Sequence, residues 1–279
     1  MGNPASVPTP FNPDNVTPIR SPGTPQERAS ATLELPSKGK FYGTTCPTGV
    51  IEIYPMTGRD EALTGGMDPN DISEIFDILL TRCLKTPLDV DNMLSTDKFF
   101  IMLNLRANSY GSFYEFRVRC PNCSLFQTRN CEVPTDFEVM EYKGDGNEPF
   151  ETTLPVSKTK VEFRLLRGKD DKAVIQWRNK ELEKGAIQFG DPSYCYRMAK
   201  HVVTIDGKTP ENIGAAVKWF EGLIAQDASE FSNAIDEQVS GVNTELDITC
   251  SKCKTHFKTD MPFTASFFRT QHKRPSKSS

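Results

Sequence analysis

Between residues 72 and 80 the apolar side chains Ile72, Ile75, Phe76, Leu79 and Leu80 recur at helical spacing, which predicts a helix with one buried face beginning after Asp68-Pro69-Asn70-Asp71. A second helix is expected from about Ser95, with Thr96 and Asp97 at its start and Phe99, Phe100, Met102 and Leu103 along it. Thr57, followed by Asp60 and Glu61, reads as another helix start, with acids in the first turn. Before it, Val50-Ile51-Glu52-Ile53-Tyr54 is a short strand by its β-branched and aromatic content. Further on, 169–184, 192–203 and 210–238 look helical, the last two separated by an Asp206-Gly207 turn, and Val161 to Leu166 looks like a strand.

Two other stretches carry period two. Phe113 to Arg119 alternates apolar and polar residues and runs directly into Cys120-Pro121-Asn122-Cys123, and a strand-like run, Leu125 to Val133, leaves it. Thr244 to Thr249 runs into Cys250-Ser251-Lys252-Cys253, and His256 to Asp260 leaves it. Each Cys-x-x-Cys therefore sits at a strand-to-strand turn. A tight turn of this kind presents two thiolates to one side, and two such turns complete a tetrahedron of the soft ligands that zinc favours. Neither pair opens a helix, where the dipole would lower a thiol pKa for redox work. The expected ligands are Cys120, Cys123, Cys250 and Cys253, around one structural Zn2+ per chain. A four-cysteine site is coordinatively closed, with no position left for water or substrate. Cys131 and His256 are the possible substitute ligands, while Cys46, Cys83 and Cys195 have no paired partner and read as buried small hydrophobes.

Composition narrows the function classes. Hydrophobic residues are 37% and charged residues 25% of 279, a globular balance, and the net charge of −4 argues against a chain whose main task is neutralising phosphates. No apolar run is long enough to span a bilayer, and the first thirty residues lack the apolar stretch of a signal peptide, so a cytoplasmic fold with reduced thiols is expected. Residues 1–30 are rich in proline, serine and threonine and are expected to form an extended or disordered arm; 271–279 is a polar, basic tail. There is no P-loop, dinucleotide-binding turn, HExxH or GxSxG. Of the three histidines, His201 lies among apolar residues and reads as a satisfied core group. No catalytic constellation emerges. Arg117, Arg119, Arg129, Lys252, Lys254, Lys258 and Arg269 surround the knuckles, with Phe116, Phe126 and Phe257 interleaved, so a nucleic-acid-binding zinc ribbon is the alternative reading.

The segment Leu35-Pro36-Ser37-Lys38-Gly39-Lys40-Phe41-Tyr42, followed by Ile51-Glu52-Ile53-Tyr54-Pro55-Met56-Thr57-Gly58-Arg59-Asp60-Glu61-Ala62-Leu63, resembles the opening of the baseplate hub proteins of T-even-like contractile-tailed bacteriophages. The closing stretch, CSKC followed by Asp260-Met261-Pro262-Phe263 and Ser266-Phe267-Phe268-Arg269, is similar as well, so the likeness covers roughly residues 33 to 270. The resemblance implies a non-enzymatic structural or assembly protein of the tail baseplate hub. Such a protein is made in the host cytoplasm and docks on other baseplate or hub proteins in a hetero-oligomeric assembly; membrane insertion is not expected from the absence of a long apolar run, and nucleic-acid binding stays the alternative reading. The Pro-rich arm and the surroundings of Phe267-Phe268 are candidate interfaces, the Phe pair being an interface if exposed and part of a core, the commoner outcome, if buried. The expected fold is α+β: an N-terminal strand-plus-helices segment (31–110), a zinc ribbon in two halves (111–135 and 243–270) and a mainly helical insertion (136–242).

Overall fold

The computed structural model describes residues 29–65, 72–184, 191, 193–262 and 265–268. The expected arm, except its last two residues, the helix start at 68–71 and the basic tail lie outside the described residues. In chain order the elements are β1 (Ala31–Glu34), β2 (Val50–Ile53), α1 (Gly58–Gly65), α2 (Ile72–Cys83), α3 (Ser95–Tyr110), β3 (Phe113–Arg119), β4 (Phe126–Glu132), β5 (Glu138–Met140), β6 (Phe150–Thr153) and β7 (Lys160–Phe163). There follow α4 (Gly168–Glu183), α5 (Tyr194–His201), β8 (Val202–Ile205), α6 (Ile213–Glu221), α7 (Ala225–Asp236), β9 (Gly241–Asn243), β10 (Glu245–Thr249) and β11 (His256–Asp260), with a 3-10 turn at Ala265–Phe268. The class is α+β, with small antiparallel sheets β1-β2, β3-β4, β10-β11, β5-β9 and β6-β7-β8.

Helix α3 is the centre of the main core. Phe100, Ile101, Met102, Leu103 and Leu105 are all buried, so the helix is covered on nearly every side. Leu79, Leu80 and Cys83 of α2, Ile51 and Ile53 of β2, and Tyr114, Phe116, Val118 and Ile248 of the two knuckle hairpins share that core. The N-terminal segment and both hairpins are thus one hydrophobic body. Phe267 and Phe268 are buried in it, Phe267 edge-on to Tyr114, so this pair serves the chain's interior instead of offering an interface.

The turn-rich segment between β1 and β2 is tied to the first turn of α3. The Ser37 amide and the Tyr42 hydroxyl donate to the buried Asp97 carboxylate at 3.2 and 2.7 Å, and the same hydroxyl accepts from Leu94 N–H at 3.1 Å. Glycine is required within it: Gly39 has φ +75°, and a Cβ there would lie 2.2 Å from the Cys46 carbonyl oxygen. The segment also meets the insertion. Tyr142 N–H bonds to Pro36 C=O at 2.8 Å, the Phe41 and Tyr142 rings meet edge-on at 4.9 Å, and Arg167 covers Phe41 while pairing with Glu148.

The insertion builds its own cores. Leu154, Val161 and Phe163 of the three-stranded sheet and its turn pack on Met198, Phe220, Phe231 and Ile235. Beside them Trp177 stacks on Tyr196 at 4.5 Å, next to Val174, Ala199, Ala216 and Val217. Two expectations need correction here. The helix expected over 192–203 ends at His201, because the β-branched run Val202-Val203-Thr204-Ile205 pairs with β7 as a strand. The helix expected over 210–238 breaks at Gly222-Leu223-Ile224 into α6 and α7, where Asp227 accepts the Val156 and Ser157 amides at 2.8 and 2.9 Å. Strands β1, β5, β6 and β9 have no counterpart in the sequence reading; all are of three or four residues. Among the described residues of 136–243 there are four helices and five short strands.

His201, read as a satisfied core residue, is buried, with its Nδ1 2.8 Å from the Arg164 carbonyl oxygen. Burial draws its pKa down to about 4. Because the folded value lies below the ordinary one of 6.5, the stability this group contributes is present above pH 6.5 and is lost as pH falls through about 4. In thermal melts between pH 7 and pH 4, His201→Gln is expected to flatten part of the acid-side decline; an unchanged slope sinks the assignment. Gly39→Ala should cost at least about 2 kcal/mol in urea unfolding. Gly43→Ala, at φ +51° with open space around it, should cost only about 1. Equal losses would show that the close approach at Gly39 is unimportant.

Candidate metal centre

The two knuckles are built the same way. In the first, Cys120 N–H bonds to Leu125 C=O and Ser124 N–H to Cys120 C=O, both at 2.9 Å, and Ser124 turns the chain with φ +59°. In the second, Cys250 N–H bonds to Thr255 C=O at 2.9 Å, Lys254 N–H to Cys250 C=O at 3.0 Å, and Lys254 has φ +62°. The flanking hairpins set both turns. β3 pairs with β4 from Phe113↔Glu132 to Arg119↔Phe126, and β10 with β11 from Glu245↔Asp260 to Thr249↔His256. Alternation along β3 buries Tyr114, Phe116 and Val118 and leaves Glu115, Arg117 and Arg119 in solvent.

The hairpins meet through their cysteines. Cys120 Sγ lies 3.6 Å from Cys253 Sγ, and Cys123 Sγ lies 3.6 Å from Cys250 Sγ; all four ligand atoms are within 4.8 Å of one another. All eight cysteines are free thiols. A metal–sulfur bond of ~2.3 Å in a tetrahedron sets the sulfurs roughly 3.8 Å apart, so the observed spacing suits a four-thiolate metal site. Among the described residues this is the one group of His, Cys, Asp and Glu side chains that could hold a metal ion.

Electrostatics point the same way. The Thr255 hydroxyl, 3.2 Å from Cys253 Sγ, and the Thr255 amide draw that thiol down to about 5, and the Cys253 amide lowers Cys250. At Cys123 the Leu125 amide acts downward, but burial and the neighbouring sulfurs outweigh it and push the thiol up to about 11. Four negative sulfurs in such a space repel one another; a bound cation removes the conflict.

Several polar contacts fix the hairpins' relative position. Gln127 Oε1 accepts Ser251 N–H at 3.1 Å and Arg129 at 2.9 Å, Arg129 also reaches Thr249 C=O at 2.9 Å, and Asn122 donates to Thr255 Oγ1 at 3.0 Å. These residues were not foreseen as part of the site, although β4 carries a signal for them. It inverts the usual pattern, turning Gln127 inward and Phe126 outward.

The substitute ligands fall away. Cys131 is in the main core, 3.8 Å from Met261 Sδ, where burial pushes its thiol up to about 12. His256 is exposed, near Thr249 and Asp247. Cys46 and Cys83 are buried and Cys195 half-buried, none near the four sulfurs' cluster. Of the basic residues around the knuckles, Arg129 is used internally and Lys258 pairs with Glu245 at 2.6 Å; Arg269 lies outside the described residues.

These features define a candidate metal centre, a set of four thiols contributed by two distant hairpins. A family model described as T4 bacteriophage base plate protein matches residues 28–269, and the chain belongs to that family. No curated protein and no solved structure matches it. No helix among the described residues is long and apolar enough to cross a membrane.

Gln127→Ala leaves the Ser251 amide and one Arg129 contact unpaired. It should cost about 1–3 kcal/mol, read as a lower urea midpoint at unchanged slope. A midpoint within error of the parent would mean that the clamp does not position the second knuckle.

Proposed function

We propose that the chain is a non-enzymatic component of the baseplate hub, acting in its assembly or remaining in the tail, and that one Zn2+ on Cys120, Cys123, Cys250 and Cys253 stabilises it. The observation that carries the metal part is the meeting of four sulfurs from two knuckles of matching geometry. Zinc suits an all-thiolate tetrahedral set and brings no redox chemistry of its own. When bound it neutralises the clustered thiolates; Cys120 and Cys123 anchor the first hairpin and Cys250 and Cys253 the second. With all four positions taken by protein, nothing remains for substrate, and the role is to fix geometry.

Family membership supports a place among baseplate proteins. The resemblance of Leu35–Tyr42 and of the closing stretch to hub proteins supports the finer position, with neighbours that are other hub or baseplate proteins and synthesis in the host cytoplasm. The same motif performs an internal task, since Ser37, Phe41 and Tyr42 join α3 to the insertion. The Pro-rich arm of residues 1–30 fits a segment that orders on a neighbour.

The test is metal content of freshly purified, reduced protein beside a Cys120→Ser, Cys253→Ser double variant. About one zinc per chain, lost in the variant together with a large drop in melting temperature, is expected from the metal's contribution to folding. Protein without metal but with an unchanged melt would refute the structural zinc. Co-sedimentation of the tagged chain with assembling tails tests the baseplate part separately.

A further inference from the structure

The main core, the second core and the inter-hairpin clamp account for nearly every large side chain they touch, but not for Phe126. It is the most exposed large hydrophobic residue among those described, at 57% of its full accessible surface. The inversion of β4 is explained on the inner side by Gln127, which clamps the second knuckle. On the outer side no apolar side chain is seen to cover the phenyl ring among the described residues. What surrounds it is two guanidinium groups: register places Arg119 directly opposite and Arg117 diagonally across, with their guanidinium carbons 5.8 and 5.2 Å from the ring centre. Both arginines are exposed, and neither forms an ion pair among the described residues, whereas Arg82, Arg164, Arg167 and Arg197 each hold a carboxylate.

A guanidinium resting on an aromatic face is held in orientation while its N–H fork stays free for a planar anion. Arg117 and Arg119 are two residues apart on one strand, so their anchor points are separated by about 7 Å. That repeat equals the spacing of same-face side chains on another extended chain. We infer that the Arg117–Phe126–Arg119 face of the first hairpin is a docking site for an extended acidic segment of a neighbouring protein, with carboxylates at alternate positions facing the two guanidinium groups. Charge complementarity selects this occupant. A longer polyanion continuing along the same strand face meets Glu115 at the next outward position, on a chain of net charge −4. The hairpin is already fixed at its knuckle and through Arg129, so little ordering entropy is lost on binding. The identity of the segment's owner as a baseplate neighbour rests on the function proposed above; the chemistry of the site does not.

The experiment uses the full chain and three fluorescent probes: a peptide alternating glutamate with valine, one of the same composition with its glutamates adjacent, and a single-stranded oligothymidylate. The alternating peptide should bind most tightly and weaken with salt. Arg117→Gln with Arg119→Gln should lower its affinity at least tenfold, and Phe126→Ser should lower it several-fold, with melting temperatures unchanged because all three side chains face solvent. Equal binding of the two peptides, or retention of affinity in the double variant, would overturn the site. So would tighter binding of the oligonucleotide that the double variant abolishes, which would make the face a nucleic-acid surface. Peptide binding with no co-sedimentation on tails would leave the docking site standing and remove the baseplate neighbour.

Discussion

Four cysteine sulfurs contributed by turns 127 residues apart lie within 4.8 Å, and much of the architecture follows from that meeting. Closing a loop of this length costs about 4 kcal/mol beyond a constant, since the entropy grows only with the logarithm of length. Each large apolar side chain buried from the hairpins contributes roughly 1.5–3 kcal/mol, and Tyr114, Phe116, Val118 and Ile248 are four that share the main core. Closure is therefore affordable even for a long insertion. Because both ends of that insertion start from the same joined base, the insertion could acquire its own sheet, helices and cores without disturbing the first body.

The joint between the two bodies is polar as much as apolar, and α3 supplies most of it. Lys98 pairs with Asp77 of α2, Asp77 also takes Lys172 of α4 at 2.9 Å, and Ser95 donates to Asp171 of α4 at 2.7 Å. At the other end of α3, Arg106 is fully buried, donates to the Gly111 and Phe113 carbonyls, and lies over the Tyr114 and Phe267 rings. Burial lowers its pKa, and the carbonyls and ring faces stand in for a carboxylate. Buried charges tolerate few alternative arrangements, because each misplacement strands an ion. That makes α3 a positional reference for the turn segment, the first hairpin and the insertion together.

What could be read from the sequence depended on whether the signal was local. The alternation of Phe113–Arg119 and the two Cys-x-x-Cys turns announced the hairpins, because period two and tight-turn chemistry are written in adjacent residues. The face of α2 was legible for the same reason. The short strands β5 and β9 were not: three residues each carry no periodicity, and their pairing exists only because the closed base brings residues 138–140 and 241–243 together. The Gln127 clamp and the Asp97 hub of hydrogen bonds likewise join residues far apart in the chain, and Lys38-Gly39 reads locally only as a turn, with nothing to show that the flanking Ser37 and Tyr42 reach Asp97.

Rigidity is also what gives the exposed face of the first hairpin its meaning. A lone two-stranded hairpin is marginal in water, so an aromatic flanked by two arginines on such an element would sample many arrangements. Here the strand's inner face is buried in the main core, its turn is joined to a second knuckle and its partner strand is clamped by Gln127 and Arg129. The same inversion that sends Gln127 inward to build the clamp sends Phe126 outward between the guanidinium groups. Internal closure and external presentation are thus two consequences of one strand register, and a shift of β4 by a single residue would lose both.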